Sequence, residues 1–188
     1  MPRSLALAIL CIAPALSLLP GCASTPNAPD AQIASKYLGR WESLTDGAQG
    51  IYVSVTQEPD GRFVLRSNRS GKDRETQGEL IDVEGTMMCR IKVFTPTPEQ
   101  AANGAVPLYH FGVLRTEGDR LLHTPIRADW LADAIAEHGH GRYVSTSNIA
   151  QGTGVAVAAD WDQLEHILRD AVTQDGALGT TEEFARVK

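Results

Sequence analysis

Between residues 40 and 124 the chain alternates apolar and polar positions with a period of two, the pattern of half-buried strands. Short runs carry it: Arg40–Leu44, Ile51–Gln57, Arg62–Ser67, Gly78–Val83, Thr86–Phe94, Tyr109–Thr116 and Arg120–Thr124. In the second of these, Ile51, Val53 and Val55 point one way, and Tyr52, Ser54 and Thr56 point the other. Turn residues separate the runs at Pro59-Asp60-Gly61, Ser70-Gly71-Lys72, Glu84-Gly85 and Glu117-Gly118-Asp119. The segment Thr95–Pro107 has several prolines and no apolar periodicity, so it reads as a long loop.

The period then becomes helical. Asp129–His138 places Trp130, Leu131, Ala134 and Ile135 on one side, and Gly139-His140-Gly141 stops it. Arg142–Thr146 reads as a strand, and Val155–Ala158 is too short to assign from pattern. Asp160–Thr173 is the clearest helix. Asp160 caps it, Gln163 occupies the third position of a capping-box-like start, and Trp161, Leu164, Ile167, Leu168, Ala171 and Val172 form an apolar stripe. Thr180-Thr181-Glu182-Glu183 is a further helix-start signal and predicts a single turn before the ending Phe184-Ala185-Arg186-Val187-Lys188. The expected architecture is α+β: an antiparallel meander, strongly curved or partly closed, with two helices packed on one face or across one end. Trp130 and Trp161 are the expected helix-to-sheet anchors, and Trp41 the expected core residue near the start of the sheet.

Ahead of this domain lies an uncharged apolar run, Leu5 to Leu19, preceded by Arg3. Its length suits a secretory signal and falls short of the roughly 20 residues needed to span a bilayer as a helix. It ends in Leu19-Pro20-Gly21-Cys22. These residues resemble the lipobox of bacterial lipoprotein precursors, with Pro20 the one departure from that pattern. The resemblance implies a leader over residues 1–21, diacylation of Cys22 as the first mature residue, and a lipid-anchored chain. An ordinary secretory signal cut after Ala23 is the alternative. Residues 22–35, including the polar stretch Ser24–Ala31 with Pro26 and Pro29, are expected to form a flexible tether, and residues 36–188 a single domain. In the resembled precursors an Asp after the cysteine often signals inner-membrane retention. Here the residue is Ala23, which points to the outer membrane, facing the periplasm.

Charge narrows the partners. The chain carries 17 Lys+Arg and 23 Asp+Glu, a net charge of −6. This acidic balance argues against nucleic acid and against electrostatic docking on anionic lipid. Three cysteines have three expected fates. Cys11 leaves with the leader, Cys22 is acylated, and Cys89 shares a strand face with Met87, Ile91 and Val93, where a buried, inert thiol is expected.

Tyr37-Leu38-Gly39-Arg40-Trp41 at the start of a β-rich domain resembles the opening G-x-W of lipocalins and their bacterial lipoprotein relatives. The resemblance implies an antiparallel barrel with Trp41 packed across its closed end and Gly39 letting the chain pass close to the next strand. The two helices of the second half depart from an eight-strand lipocalin with one flanking helix. Leu121-Leu122, Asp129-Trp130-Leu131 and the Phe184…Arg186-Val187 ending look like a wider group of envelope lipoproteins, which brings no reaction and no catalytic residues.

Chemistry-bearing clusters are sparse. No G-x-S-x-G, Walker A or G-x-G-x-x-G motif occurs in the sequence. His110, His123, His138 and His140 are candidate ligands for zinc or copper, although no Cys or Glu stands at ligand spacing. No cofactor is expected. The expected function is non-enzymatic: a membrane-tethered envelope protein that binds a partner protein or a small apolar ligand. A pocket for such a ligand would be lined by Ile51, Val53, Val64, Ile91 and Phe111. A metal-binding or hydrolytic protein using the histidines is the alternative.

Overall fold

The computed structural model describes residues 28–45, 50–68, 76–103, 108–138, 142–146, 154–158 and 161–188. The leader, Cys22, His140, the Asp160 cap and the Ser70-Gly71-Lys72 turn lie outside the described residues.

The meander closes on itself. Eight strands form an antiparallel barrel in the order β5-β4-β3-β2-β1-β10-β7-β6, and β5 pairs with β6 to complete the ring. They are β1 (Gly39–Ser43), β2 (Tyr52–Gln57), β3 (Phe63–Asn68), β4 (Thr76–Val83), β5 (Thr86–Phe94), β6 (Leu108–Glu117), β7 (Arg120–Pro125) and β10 (Glu182–Arg186). Two further strands, β8 (Arg142–Thr146) and β9 (Gly154–Ala158), form a hairpin attached to β6 through Tyr109 and Val157. The barrel is complete, where the sequence pattern left closure open.

The closing element is β10, and it corrects the reading of residues 180–188. Thr180–Glu183 was expected to start a helix, yet Glu182–Arg186 is a strand. It bonds on both edges, pairing Phe184 with Ser43 of β1 and with Leu121 of β7. Backbone groups that find partners on two sides outweigh a local capping preference. Two short helices also fall where none was expected. Helix α1 (Ala31–Ala34) lies inside the segment read as tether, and Asp30 caps it by accepting from the amides of Gln32 and Ile33. A single 3-10 turn, Ser35–Tyr37, leads from it into β1. Helix α2 (Pro98–Ala102) interrupts the expected long loop, with a Thr97/Gln100 capping box and a proline in its first turn.

The two ends of the barrel differ. At one end β2–β3, β4–β5 and β6–β7 are joined by tight turns, where Gly61, Gly85 and Gly118 all have positive φ. At the other end lie the longer connections β1–β2, β3–β4 and β5–β6. The first is the turn end and the second the loop end.

Two apolar clusters follow from the alternation. Inside the barrel, Trp41, Val53, Val55, Phe63, Leu65, Leu80, Met87, Cys89, Leu114, Leu121 and Phe184 pack together, with Ala34 and Tyr37 added from the turn end. An eight-strand barrel is just wide enough for its side chains to fill it. The second cluster lies on the outer face of β4, β5 and β6. There Ile81, Val83, Met88, Phe111 and Val113 meet Leu131 and Ile135 of α3 (Ala128–His138) and Trp161, Leu164, Ile167 and Leu168 of α4 (Trp161–Thr173). Strands β4 and β5 therefore bury both faces, which explains why Met87-Met88-Cys89 is an unbroken buried run rather than an alternating one. Trp161 is buried in this cluster, and Trp130 is a half-buried neighbour of it.

Candidate functional site

The turn end is sealed by the segment before β1 and the end of β10 folding onto one another. Trp41 is fully buried, and its indole N–H donates to the Tyr37 carbonyl at 2.9 Å. The Tyr37 hydroxyl donates in turn to the Leu114 carbonyl at 3.2 Å. Burial of Tyr37 raises its pKa above the usual phenol value, with the charge of Arg115 opposing. Arg186, at the end of β10, lies with its guanidinium 4.1 Å from the Trp41 ring centre. The same group donates to the Leu38 carbonyl at 2.7 Å and to the Lys36 carbonyl at 2.8 Å, just after and within the 3-10 turn. A Cβ at Gly39 would approach the Arg186 guanidinium to 3.1 Å, and Gly39 has φ +120. The glycine of Gly39-Arg40-Trp41 is therefore needed for its backbone angle, and a Cβ there would also crowd the Arg186 guanidinium.

The loop end is different in chemistry. On the inner face, register partners Ser67 and Thr76 exchange a hydroxyl contact of 3.1 Å, and Ser67 is almost wholly buried. His123 of β7 and Glu182 of β10 are also register partners. Their side chains pair at 3.0 Å between Nδ1 and Oε2, with the imidazole 7% exposed and the carboxylate 43% exposed. The ring of His123 lies over Gly112, where a Cβ would overlap Nε2. Gly112 thus provides the space that the imidazole occupies. Half-buried Ile51 and Ile91 pack on the barrel cluster at this level, above buried Val53.

The expected pocket residues divide between three environments. Ile51, Val53 and Ile91 share the barrel interior at the loop end. Val64 alternates with the inward Phe63 and Leu65 and lies on the opposite face of β3. Phe111 belongs to the helix-covered cluster outside the barrel. The expected histidine site does not assemble in the described part. His123 pairs in register with Leu114, and His110 lies four residues along β6 from it, about 13 Å at strand spacing. His138 ends α3, on a separate element. Among the described residues no group of three or more His, Cys, Asp and Glu side chains is placed to hold a metal ion. Cys89 is fully buried inside the barrel, on the same face as Met87 and Ile91.

Glu182, Ser67, Thr76 and Arg186 carry no site role in the sequence reading. A period-two signal was present in Glu182-Glu183-Phe184-Ala185-Arg186, which puts Glu182, Phe184 and Arg186 on one face. Asp60 bonds Arg62 at 2.8 Å on the surface, and that bond lowers the Asp60 pKa. Among the described residues no helix is long and apolar enough to cross a membrane. No family model, no curated protein and no solved structure matches the chain.

Proposed function

We propose that the chain is a lipid-anchored protein of the bacterial envelope, held at the outer membrane through Cys22 and facing the periplasm, and that it works by binding rather than by catalysis. Its barrel is lipocalin-like in this reading, and its ligand is small and largely apolar. The observation that carries the binding role is the contrast between the two ends of the barrel interior. Trp41, Leu65, Leu114, Leu121 and Phe184 fill the middle to almost no exposure. At the loop end, by contrast, half-buried Ile51 and Ile91 share the inner face with the half-exposed Glu182 carboxylate. Apolar walls with a few convergent polar groups are the usual make-up of a small-molecule site. The fully occupied middle gives such a ligand a floor, so it would be held at the loop end and not threaded through the barrel.

A partner protein is the second reading. It would call for a contiguous exposed apolar patch. Ile33, Leu44 and Val187 are the exposed large apolar side chains of the described part, and Leu44 stands at the end opposite the other two. This separation favours the small ligand.

Native mass spectrometry of the full-length protein, extracted in detergent, tests both parts. Two acyl chains on Cys22 and a co-purifying small molecule lost on Ile91→Glu are the expected result. A chain cut after Ala23 without acyl mass would overturn the anchor. A stoichiometric complex with a second protein and no small molecule would overturn the ligand reading.

A further inference from the structure

The place where residues 28–37 attach to the barrel sets how the domain can stand on a membrane. Pro29 is buried and Asp30 caps α1, so the chain is fixed to the domain from Pro29 onward. Helix α1 and the 3-10 turn lie against the turn end, where Ala34 and Tyr37 join the barrel interior and Tyr37 receives the indole of Trp41. Cys22 is six residues before Ala28. Six residues reach at most about 20–22 Å, whatever their conformation. Strand β6, ten residues long, runs the height of the barrel. At the usual strand tilt that height is about 25 Å. A domain turned over, with its loop end on the bilayer, would need the anchor to reach past its own length.

We infer that the turn end of the barrel is the membrane-facing surface and that the loop end, with Glu182, Ile51 and Ile91, opens to the aqueous space. The inference rests on the acylation of Cys22 proposed above, and its occupant is the phospholipid surface in which that lipid sits. The residues at the turn end suit an interfacial contact. Ile33 and Val187 are each 42% exposed, on α1 and just past β10. Arg186 ties these two segments together through the carbonyls of Lys36 and Leu38. Exposed Lys36 and Lys188 follow the two apolar residues at three positions and one position, so their stems can lie along the interface with the ammonium groups toward headgroups. The chain is acidic overall, so the acyl anchor and not net charge supplies the affinity. A ligand or partner of the loop end then arrives from the periplasm and not from the anchoring bilayer.

The test uses the full-length acylated chain in vesicles of phosphatidylethanolamine and phosphatidylglycerol. Single cysteines at Ile33, Val187 and Leu44 carry an environment-sensitive fluorophore, and buried Cys89 stays unlabelled. Blue-shifted emission and quenching by doxyl-labelled lipid at positions 33 and 187, but not at 44, is the expected result. Hydrogen exchange of the unsubstituted acylated protein is a second measurement, with vesicle-dependent protection expected over residues 31–38 and 186–188 and not over 50–53. Quenching at 44 equal to or greater than at 33, in protein whose acyl mass is confirmed, overturns the orientation alone. Absence of acyl mass and failure to float with vesicles overturn the anchor, and the orientation with it.

Discussion

Replacing Phe184 by alanine tests whether the barrel is closed by its last strand. Phe184 is 1% exposed, lies between Ser43 and Leu121, and belongs to the interior cluster with Trp41 and Leu114. Truncation removes about 150 Å² of buried ring surface, worth roughly 4 kcal/mol at 25 cal/mol per Å². The cavity left in a barrel whose walls are fixed by hydrogen bonds can collapse little, so the loss should fall in the range of about 3–5 kcal/mol. For a domain of this size that is a fall in Tm of about 6–20 °C. Glu183→Ala on the same strand is the internal control. Its side chain points outward to Arg120 at 3.0 Å, with both groups about half exposed, so it should cost less than about 1 kcal/mol. Urea unfolding of both variants, followed by tryptophan fluorescence, measures the difference. If residues 182–186 were a frayed turn and not a strand, both substitutions would cost about the same small amount. Equal midpoints would refute the closure.

Trp161→Ala should cost about 3–5 kcal/mol, and its effect should add to that of Phe184→Ala, because the two residues lie in separate clusters on opposite faces of the sheet; strong coupling in the double variant would contradict the two-core description. Gly112→Ala should destabilise by about 1–3 kcal/mol through its clash with the His123 ring, and a Gly112→Ala/His123→Ala double variant should recover part of that cost in a double-mutant cycle. Tyr37 has a raised pKa from burial, so its folded form holds the proton where the unfolded chain releases it; stability should be full below about pH 10 and fall as pH rises through that value, and Tyr37→Phe should flatten the fall in alkaline denaturation curves. Asp129 is held below the usual carboxylate range by its hydrogen bond from Arg127, so in an NMR titration its midpoint should rise in Arg127→Ala.

The strands of the first half were legible because each needed only local information. Period-two alternation between turn residues located β1 to β7 to within a residue or two. Thr86–Phe94 and Arg142–Thr146 were bounded as they occur. The two longer helices were legible for the same reason, through an apolar stripe of helical period. What the pattern could not supply was closure. Strand β10 has no β-branched residue within Glu182–Arg186, and the Thr-Thr-Glu-Glu sequence before and into it favours a helix start. Its conformation is imposed by β1, which ends about 140 residues earlier, and by β7. Helix α1 was hidden by composition. A polar, proline-bearing stretch reads as tether unless one knows that Ala34 will plug a barrel end.

The same long-range pairing explains why the candidate site was only half legible. Ile51, Val53 and Ile91 were reachable from alternation, since inward positions on adjacent strands converge once a sheet is assumed. Val64 and Phe111 fail for a specific reason: alternation identifies which residues share a face, but not which face is the interior. On β3 that choice is fixed by Phe63 and Leu65 facing the barrel cluster, and on β6 by α3 and α4 covering the outer side. Glu182 required more still, because its carboxylate acquires meaning only when β10 lies beside β7 and brings it to His123. The carboxylate of this site therefore comes from the strand that local pattern misreads, while Ser67, Thr76 and His123 come from strands it locates. A Glu182→Gln variant isolates that contribution: it should leave the urea midpoint within about 1 kcal/mol of wild type, as expected for a half-exposed group, while changing which small molecule is retained in native mass spectrometry. Retention of the same molecule to the same extent would show that the loop end binds through its apolar walls alone.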